Sequence, residues 1–516
     1  MATSPKVGAF VLETLTTGMY AQCLDALREL IQNSFDSIRR AESVACLKRG
    51  AGRIEVEIDP DNRVMSVRDN GLGVPSEDIG NRLLNIGMSD KEISTDAGFR
   101  GIGRLAAMAY CSNLAFRTQA WQEKTTTTLS FDCDYLRSAM RPNGRTRAQE
   151  LAKIINDAHS LTKAAVKKSD HFFEVVLLDI DASGKAFLDA SRVIRYLGQV
   201  APVAFDGQRF MYAPQIEAWA RSQGLCIPAV SVVVKQKTGE ANFELEVFKP
   251  YKTHYRTRDQ KFPVHLRDVQ FFTSDNPEGI SFWGWHGETE LLGAIDDDAV
   301  AGFRIRKNNI ATGGPELAHE IFAEASTTSG RFNGWYVGEV HVVAADVIPN
   351  ARRDGFEPQG SWPAIREQLV QRFHELSKRA YKASEARHRP AVKVKSAVNR
   401  TIETVSQKLD LGLVSEQQRN ELLEQVQKER TKLVDALGSG RDDTPSLKPL
   451  LPKLDELCAK LNKANEFSAK RIKSNLDRKQ RKIISDILAA LHKILDEETF
   501  SKAQAAILEM YQLPRP

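Results

Sequence analysis

Apolar residues between positions 24 and 38 recur with the period of a helix. At about 100° per residue they occupy one face, formed by Leu24, Leu27, Leu30, Ile31, Phe35 and Ile38. The opposite face places Glu29, Asn33 and Asp36 within roughly 60° of one another. The pattern predicts an amphipathic helix that packs its apolar face on a core and carries two carboxylates and an amide on the other.

Farther along the chain the periodicity changes twice. Alternation at 53–59 predicts a strand, and from His171 to about Trp362 strand patterns dominate, interrupted by two helical stretches. After Trp362 only helical rows remain. We therefore predict an α+β multidomain protein with an α/β domain at 1–165, a middle α+β domain at 166–362 and a helical domain at 363–516.

The helical domain is predicted from three apolar rows separated by breaks. The rows are Leu423, Val426, Leu433 and Leu437, then Leu450, Leu454, Leu457 and Leu461, and finally Ile484, Ile487, Leu488, Leu491 and Leu495. A Gly-Ser-Gly-Arg-Asp-Asp-Thr-Pro segment at 438–445 separates the first two. Because heptads are not sustained, we expect a hairpin or small bundle with coiled-coil character.

The polar face of the first helix has a composition suited to work on a metal-bound phosphate. A carboxylate such as Glu29 can polarise water, and the amide oxygen of Asn33, one turn away, can coordinate Mg²⁺. An ordinary amphipathic surface helix is the alternative interpretation of this segment alone.

Two glycine-containing segments follow. Val-Arg-Asp-Asn-Gly-Leu-Gly-Val at 67–74 places Asp69 at the entry to a turn where Gly71 and Gly73 let backbone approach a flat ligand. A carboxylate there can accept from an exocyclic amine such as adenine N6. Gly-Phe-Arg-Gly-Ile-Gly at 98–103 opens an Ala-rich helix and is a candidate anion site, although it lacks the Gly-Lys-Ser/Thr of a Walker A loop.

The order and spacing of these three segments resemble the GHKL ATPases, which include gyrase B, the ninety-kilodalton heat-shock chaperones, sensor histidine kinases, MutL and the MORC proteins. The match to the heat-shock chaperones (HSP-ninety-like) is the nearest, since their helix reads F-L-R-E-L-I-S-N-A-x-D-A. The resemblance implies a Bergerat-type α/β sandwich at 1–165, binding of ATP and Mg²⁺, and hydrolysis of ATP to ADP and phosphate.

The resemblance also implies roles for individual residues. Glu29 looks like the general base, Asn33 like the Mg²⁺ ligand, and Asp69 like the residue that reads adenine. Further positions implied at the nucleotide are Asp36, Gly71, Gly73, Asn81, Ser89, Gly98, Gly101, Ile102, Gly103 and Thr127. Thr127 is chosen from the run Thr125–Thr128 by alternation alone, so the neighbouring threonines stay open as the residue beside an adenine-bound water.

A loop in the middle domain extends the resemblance. Asn-x-x-Arg-Asp-x-Phe-Glu, from Asn350 to Glu357, is similar to the chaperones' catalytic loop Asn-x-x-Arg-Glu-x-Leu-Gln, whose arginine reaches the γ-phosphate. Arg353 would take that role, while Glu357 departs from the glutamine of the family. A surface loop with an Arg353–Asp354 pair is the alternative. For the basic run Arg304 to Lys307 an exposed strand is favoured over a transducer contact.

The implied function is an ATP-driven conformational machine of the heat-shock-chaperone type, in which lid closure and domain docking act on a protein client. A homodimer is expected, with ATP as a candidate trigger. The alternative is a MORC-like or MutL-like nucleic-acid clamp that uses the basic C-terminal region.

Composition and charge refine this picture. The 516 residues suffice for two to four domains, and no apolar run approaches the length of a transmembrane helix or resembles a secretion signal. Six scattered cysteines fit a reduced cytoplasmic protein without a structural metal. The net charge is +5, of which residues 361–516 contribute +9. Because these basic clusters lack interleaved aromatics, we favour a solvated surface over nucleic-acid binding.

Overall fold

The computed structural model describes residues 22–85, 103–140, 151–167, 170–238, 241–277, 279–388, 391–411, 413, 415–437, 447–464 and 478–510. Two compact units are present, one spanning residues 1–384 and the other residues 385–516. The three domain boundaries proposed from sequence stay a prediction.

The first unit contains a large mixed sheet. Its strands are β1 (Arg53–Asp59), β2 (Val64–Asp69), β3 (Cys111–Gln119), β4 (Thr125–Asp132), β5 (His159–Ala165), β6 (Phe172–Ile180), β7 (Ser231–Thr238) and β8 (Ala241–Glu246). They lie in the order β5-β4-β3-β6-β2-β1-β7-β8, and the pair β1–β7 is parallel whereas the other neighbours are antiparallel.

Helices pack against this sheet. They are α1 (Cys23–Ser43), α2 (Cys133–Met140), α3 (Leu151–Ala158) and α4 (Ala190–Val200), with a π-helical turn at Gly80–Leu84 and 3-10 turns at Gly103–Ala109 and Ala182–Leu188. The predicted amphipathic helix is confirmed in α1, where Leu27, Ile31 and Phe35 are buried in the sheet's main core.

The sheet continues beyond residue 165, where sequence analysis places the end of the first domain. Strand β6 lies in the middle of the sheet, paired with β2 on one side and β3 on the other, and β7 and β8 complete one edge. Local periodicity shows that 172–180 is a strand, but pairing partners distant in sequence decide which sheet it joins.

A second sheet follows within the same unit. Its strands are β11 (Asp268–Thr273), β12 (Phe282–Glu288), β13 (Gly302–Lys307), β14 (Ile310–Ala311) and β15 (Val337–Val342), in the order β11-β12-β15-β13-β14. Helix α5 (Ala213–Ser222) and the hairpin β9 (His254–Arg256) and β10 (Pro263–His265) precede it. Helix α6 (Pro315–Ala325) connects the parallel strands β13 and β15, and α7 (Trp362–His388) packs its apolar residues into the adjacent core.

Charged side chains are buried in this second sheet. Glu339 is 0% exposed and accepts from Arg306 Nε and, at 2.7 Å, from Lys249 Nζ. Arg304 donates to the carbonyl oxygens of Ala301 and Asp298. The expectation of an exposed basic strand is therefore wrong for Arg304 and Arg306, because a carboxylate and carbonyl groups inside the protein replace water around the guanidinium groups.

The second unit is helical throughout its described part. Helices α8 (Ala391–Leu411), α9 (Glu416–Leu437) and α10 (Leu450–Lys463) share one apolar core, followed by α11 (Arg478–Ile494) and α12 (Glu497–Met510). The predicted row Leu450, Leu454, Leu457 and Leu461 is confirmed, since all four are buried on α10. Among the described residues, no helix is long and apolar enough to cross a membrane.

We predict that Glu339→Gln lowers the free energy of unfolding by about 3–5 kcal/mol, because Arg306 and Lys249 would keep buried positive charge without a carboxylate. Chemical denaturation of the full chain measures this. The control is Glu320→Gln on the exposed side of α6, which should change stability by less than about 0.5 kcal/mol. Equal effects of the two substitutions would show that the buried network contributes little.

Candidate functional site

Glu29 lies on α1 in direct contact with the loop that contains Arg353. Its carboxylate Oε1 accepts a hydrogen bond from Arg353 Nε, and both side chains are less than one-tenth exposed. A Cβ at Gly103 would lie 2.2 Å from Glu29 Oε2, so the backbone of the glycine-rich segment lies directly against the carboxylate as it is now placed. The structure thus brings together three residues that are far apart in sequence.

The loop around Arg353 is held in place by backbone contacts. Arg353 has a φ of +57°, a left-handed conformation that few side-chain-bearing residues adopt. Its N–H donates to Asn350 O at 3.1 Å, and its carbonyl accepts from Gly313 N–H. From α1, Arg28 Nη2 donates to Arg352 O at 3.2 Å. Because several contacts maintain this conformation, the loop presents the guanidinium to α1.

The alternative interpretation of this loop was a surface Arg353–Asp354 pair. Asp354 instead accepts a hydrogen bond from Asn350 Nδ2 at 2.7 Å, while Arg353 is 7% exposed and faces α1. The loop is thus exposed at Arg352 and Asp354 but buries the side chain of Arg353. It belongs to the structure around Glu29.

Asp69 ends strand β2 and is 1% exposed. Its Oδ1 accepts from Gly71 N–H at 2.9 Å, and the hydroxyl groups of Ser34 and Ser37 on α1 lie near enough to act on the pKa of this carboxylate. Oδ2 is buried and has no hydrogen-bond partner among the described residues. Burial raises the pKa of Asp69 to about 7, although these donors favour the ionised form.

The turn after Asp69 packs tightly against its surroundings. Gly73 has a φ of +67°, and a Cβ there would lie 2.2 Å from Gln119 O on β3. A Cβ at Gly71 would lie 2.1 Å from Ser37 Oγ. Both positions therefore require glycine, which explains the Asp-x-Gly-x-Gly pattern in physical terms.

Two residues that support this turn escaped sequence analysis. His171, just before β6, has Nδ1 2.7 Å from Gly71 O. Thr118 on β3 accepts from Val74 N–H at 2.8 Å and donates to Phe172 O at 3.0 Å. Neither residue belongs to a motif with recognisable spacing, so only the pairing of β6 between β2 and β3 reveals them.

Thr127 lies on the same sheet face as Asp69 but not beside it. The two residues share one cross-strand row, which runs from Asp69 through Phe173 and Thr118 to Thr127. Three strand spacings separate their backbones, roughly 14 Å. The buried hydroxyl of Thr127 has no hydrogen-bond partner among the described residues, and its place beside an adenine-bound water stays a prediction.

The remaining candidate positions divide into two groups. Asn33 is half-buried and Asp36 is buried on α1, and Asn81 is exposed in the π-helical turn. The candidates Ser89, Gly98, Gly101 and Ile102 lie outside the described residues. Their contacts with nucleotide stay predictions.

The residues present fit an adenine nucleotide and Mg²⁺. A buried carboxylate oxygen without a donor, Asp69 Oδ2, suits an exocyclic amine, because an unpaired buried acceptor is costly until a donor reaches it. Across α1, the amide of Asn33 and the carboxylates of Glu29 and Asp36 provide the oxygen ligands that Mg²⁺ and its water shell prefer.

Comparison with known families supports this assignment. Residues 21–163 match the family described as histidine kinase-, DNA gyrase B- and HSP90-like ATPase. The matched segment contains Glu29, Asn33 and Asp69 on the elements described above. This part of the chain is a GHKL-type ATPase domain.

Similar proteins include several named "DNA mismatch repair protein MutL". The chain is 31% identical to the protein of Shewanella oneidensis over 108 residues, which is 19% of this chain and 15% of that protein. It is 31% identical to the Aquifex pyrophilus protein over 125 residues, 23% of this chain and 26% of that one. The chain thus matches about a quarter or less of the length of these relatives.

We predict that Asp69→Asn weakens ATP binding at least about a hundredfold in a folded protein, because the substitution removes the charge and turns one oxygen into a donor. Calorimetry with a non-hydrolysable ATP analogue and Mg²⁺ measures the affinity. Asp435→Asn, at an exposed carboxylate on α9, is the control. Unchanged affinity in Asp69→Asn would place adenine recognition elsewhere.

The same substitution should change how stability depends on pH. In the folded protein without nucleotide the pKa of Asp69 is raised from 3.8 to about 7, so the folded state holds a proton that the unfolded state releases over this range. The contribution of Asp69 to the free energy of unfolding is therefore largest below about pH 4 and is lost as the pH rises through 7. Relative to Asp69→Asn, the native protein should lose on the order of a few kcal/mol between pH 4 and 7 in denaturation experiments.

Proposed function

We propose that this chain is an ATP-hydrolysing conformational machine in which Glu29 activates the attacking water and Arg353 stabilises charge on the transferred phosphoryl group. The observation that carries the proposal is the buried contact between Arg353 Nε and Glu29 Oε1. It joins α1, which packs on the first sheet, to a loop that follows the second sheet. The two residues are separated by 324 positions in the sequence.

The geometry supports distinct roles for the two groups. Glu29 is a carboxylate with little water around it, next to the glycine-rich backbone at Gly103 that suits an anion. A guanidinium has five N–H donors, so Arg353, whose Nε contacts Glu29, has the donor capacity to bind phosphate oxygens as well. An arginine that approaches developing negative charge in this way is a transition-state stabiliser.

Asn33 is the residue proposed to hold Mg²⁺, since its amide lies one turn from Glu29 on the same helix. When bound, the ion would neutralise charge on the phosphate oxygens. Asp69 would orient the base, and the turn at Gly71 and Gly73 would let the backbone lie close to it.

The cycle follows from the position of Arg353. Its loop lies after the second sheet and before α7. A nucleotide that binds the guanidinium group of Arg353 would therefore also favour one position of that loop. We propose that this coupling acts on a protein client and that the working form is a homodimer. The motif resemblance to the ninety-kilodalton heat-shock chaperones supports the choice of client.

We predict that Arg353→Ala cuts the rate of ATP turnover by roughly 10²–10³ and leaves ATP affinity within a few-fold, because a group that acts mainly in the transition state contributes little to ground-state binding. Arg352→Ala, at the exposed neighbouring side chain, is the matched control and should keep near-normal turnover. Phosphate release under saturating ATP measures the rate.

Glu29→Ala in the same assay should bind ATP and turn over at least about a hundredfold more slowly, the usual scale for loss of a general base. Near-normal turnover by either Glu29→Ala or Arg353→Ala would remove that residue from the proposed chemistry. The full chain is needed for these tests, because β6 and the Arg353 loop both lie beyond residue 165.

A nucleic-acid clamp is the second candidate, and a specific observation favours it. The similar proteins are named for DNA mismatch repair, and residues 361–516 have a net charge of +9. A clamp would use this charge on phosphates and would bind more weakly as salt displaces it. The basic positions Lys378, Arg379 and Lys382 on α7 are exposed and lack neighbouring stacking aromatics in sequence except Tyr381.

We expect DNA and RNA binding weaker than micromolar at roughly 150 mM salt, since phosphate contacts without base stacking give weak and salt-sensitive binding. Fluorescence anisotropy with and without a non-hydrolysable ATP analogue tests this. The same measurement on the triple variant Lys378→Gln/Arg379→Gln/Lys382→Gln shows whether binding depends on the basic positions of α7. Sub-micromolar binding that ATP strengthens and the triple substitution weakens would replace the protein-client function with the clamp.

A further inference from the structure

Helix α11 carries an apolar row that no described part of the chain covers. Ile483, Ile487 and Ile494 are 57%, 47% and 79% exposed, and Ala490 between them is also exposed. Their spacing of four, three and four residues places them within roughly 60° on one side of the helix. We call these four residues the α11 stripe.

The α11 stripe is more exposed than the other apolar residues of the same helix. A second row, formed by Ile484, Leu488 and Leu491 on the same helix and by Leu495 directly after it, is half-buried. Helix α12 folds back on α11, with the rings of His492 and Phe500 4.6 Å apart. The apolar surface of α11 is thus only partly covered by the described residues, and a continuous apolar row at three- and four-residue spacing is the pattern of a helix–helix seam.

We infer that the α11 stripe binds the same stripe of a second copy of this chain in antiparallel orientation. The spacing four-three-four is the same in both directions, so a two-fold axis near its centre sets Ile483 against Ile494 of the other copy. The same axis sets Ile487 against Ala490. Branched Ile487 opposite the small Ala490 lets the two helices approach closely.

Charge along the helix selects the antiparallel orientation. Lys479 and Lys482 are exposed at the N-terminal end of α11, and the chain turns at its other end into Asp496, Glu497 and Glu498. An antiparallel pair brings the basic end of one copy next to the acidic turn of the other. A parallel pair would place like charges side by side, which is unfavourable.

The size of the surface sets the expected strength. A helix of 17 residues is about 25 Å long, so one helix pair buries less than the roughly 1,200–2,000 Å² of a standard stable interface. The dimer should therefore be weak, with a Kd on the order of micromolar or above. The inference concerns the C-terminal unit and does not rest on the proposed ATP cycle.

Sedimentation equilibrium of the full chain without nucleotide tests the inference. We expect a concentration-dependent monomer–dimer equilibrium, and Ile487→Glu should raise the Kd at least about tenfold because a carboxylate would face the apolar partner. Val434→Glu on α9 is the matched control, since Val434 is 43% exposed and lies outside the stripe. A monomer at all concentrations, or equal effects of the two substitutions, would overturn the inference.

A charge exchange tests the orientation. Lys479→Glu alone should weaken the dimer, and Lys479→Glu/Glu498→Lys should restore it, because the exchanged pair is again opposite in sign across the two-fold axis. Helix content from circular dichroism should stay unchanged in both variants. A double variant as weak as the single one would contradict the antiparallel pairing. Since no nucleotide is present, failure here leaves the ATPase proposal untouched.

Discussion

The contact between the Arg353 loop and α1 depends on a buried ion pair between Glu29 on α1 and Arg353 in the loop before α7. Both side chains are less than one-tenth exposed, so each charge has lost most of its hydration. Such a pair is tolerable only while each partner stays in place, because removal of one leaves an uncompensated charge. The position of the loop on α1 is therefore fixed by charge, and another anion that competes for the guanidinium can change it.

Buried hydrogen bonds hold the elements around this ion pair in place. Arg306 donates through Nη2 to Gln199 O at the end of α4, 2.9 Å away, and its Nε bonds Glu339. Asn309 Nδ2 reaches Pro228 O at 2.8 Å. These buried contacts tie the second sheet to the elements that cover the first, so motion of Arg353 relative to α1 is easier within its own loop than by displacement of the sheet. The left-handed φ of Arg353 marks the point where the loop stores strain.

How much the sequence predicts depends on the range of the interactions involved. Helix α1 and the Asp69 turn are local features, so their periodicity and glycines predict them well. The central position of β6 and the support from His171 depend on strand pairing between distant segments, which periodicity does not encode. The burial of Arg306 depends on Glu339, a partner 33 residues away, and composition alone favours a surface position for any arginine.

Alternation also leaves the distance between Thr127 and Asp69 undetermined. Alternation correctly puts the side chain of Thr127 on the buried face, but a face extends across every strand of the sheet. Only the strand order shows that β3 and β6 lie between the two residues. The position directly opposite Asp69 belongs to Phe173 on β6, which a motif search has no reason to select.

Asp69 shows how a site can work against the stability of its own fold. The hydrogen bond from Gly71 and the nearby hydroxyl groups of Ser34 and Ser37 favour the carboxylate, yet burial outweighs them and raises its pKa to about 7. A donor that reaches the unpaired Oδ2 would favour the charged form and lower the pKa again. Ligand binding and proton release are then linked, so near neutral pH part of the binding free energy is used to ionise the carboxylate. Under the proposed function, the donor that Oδ2 lacks is the one that the adenine amine would supply.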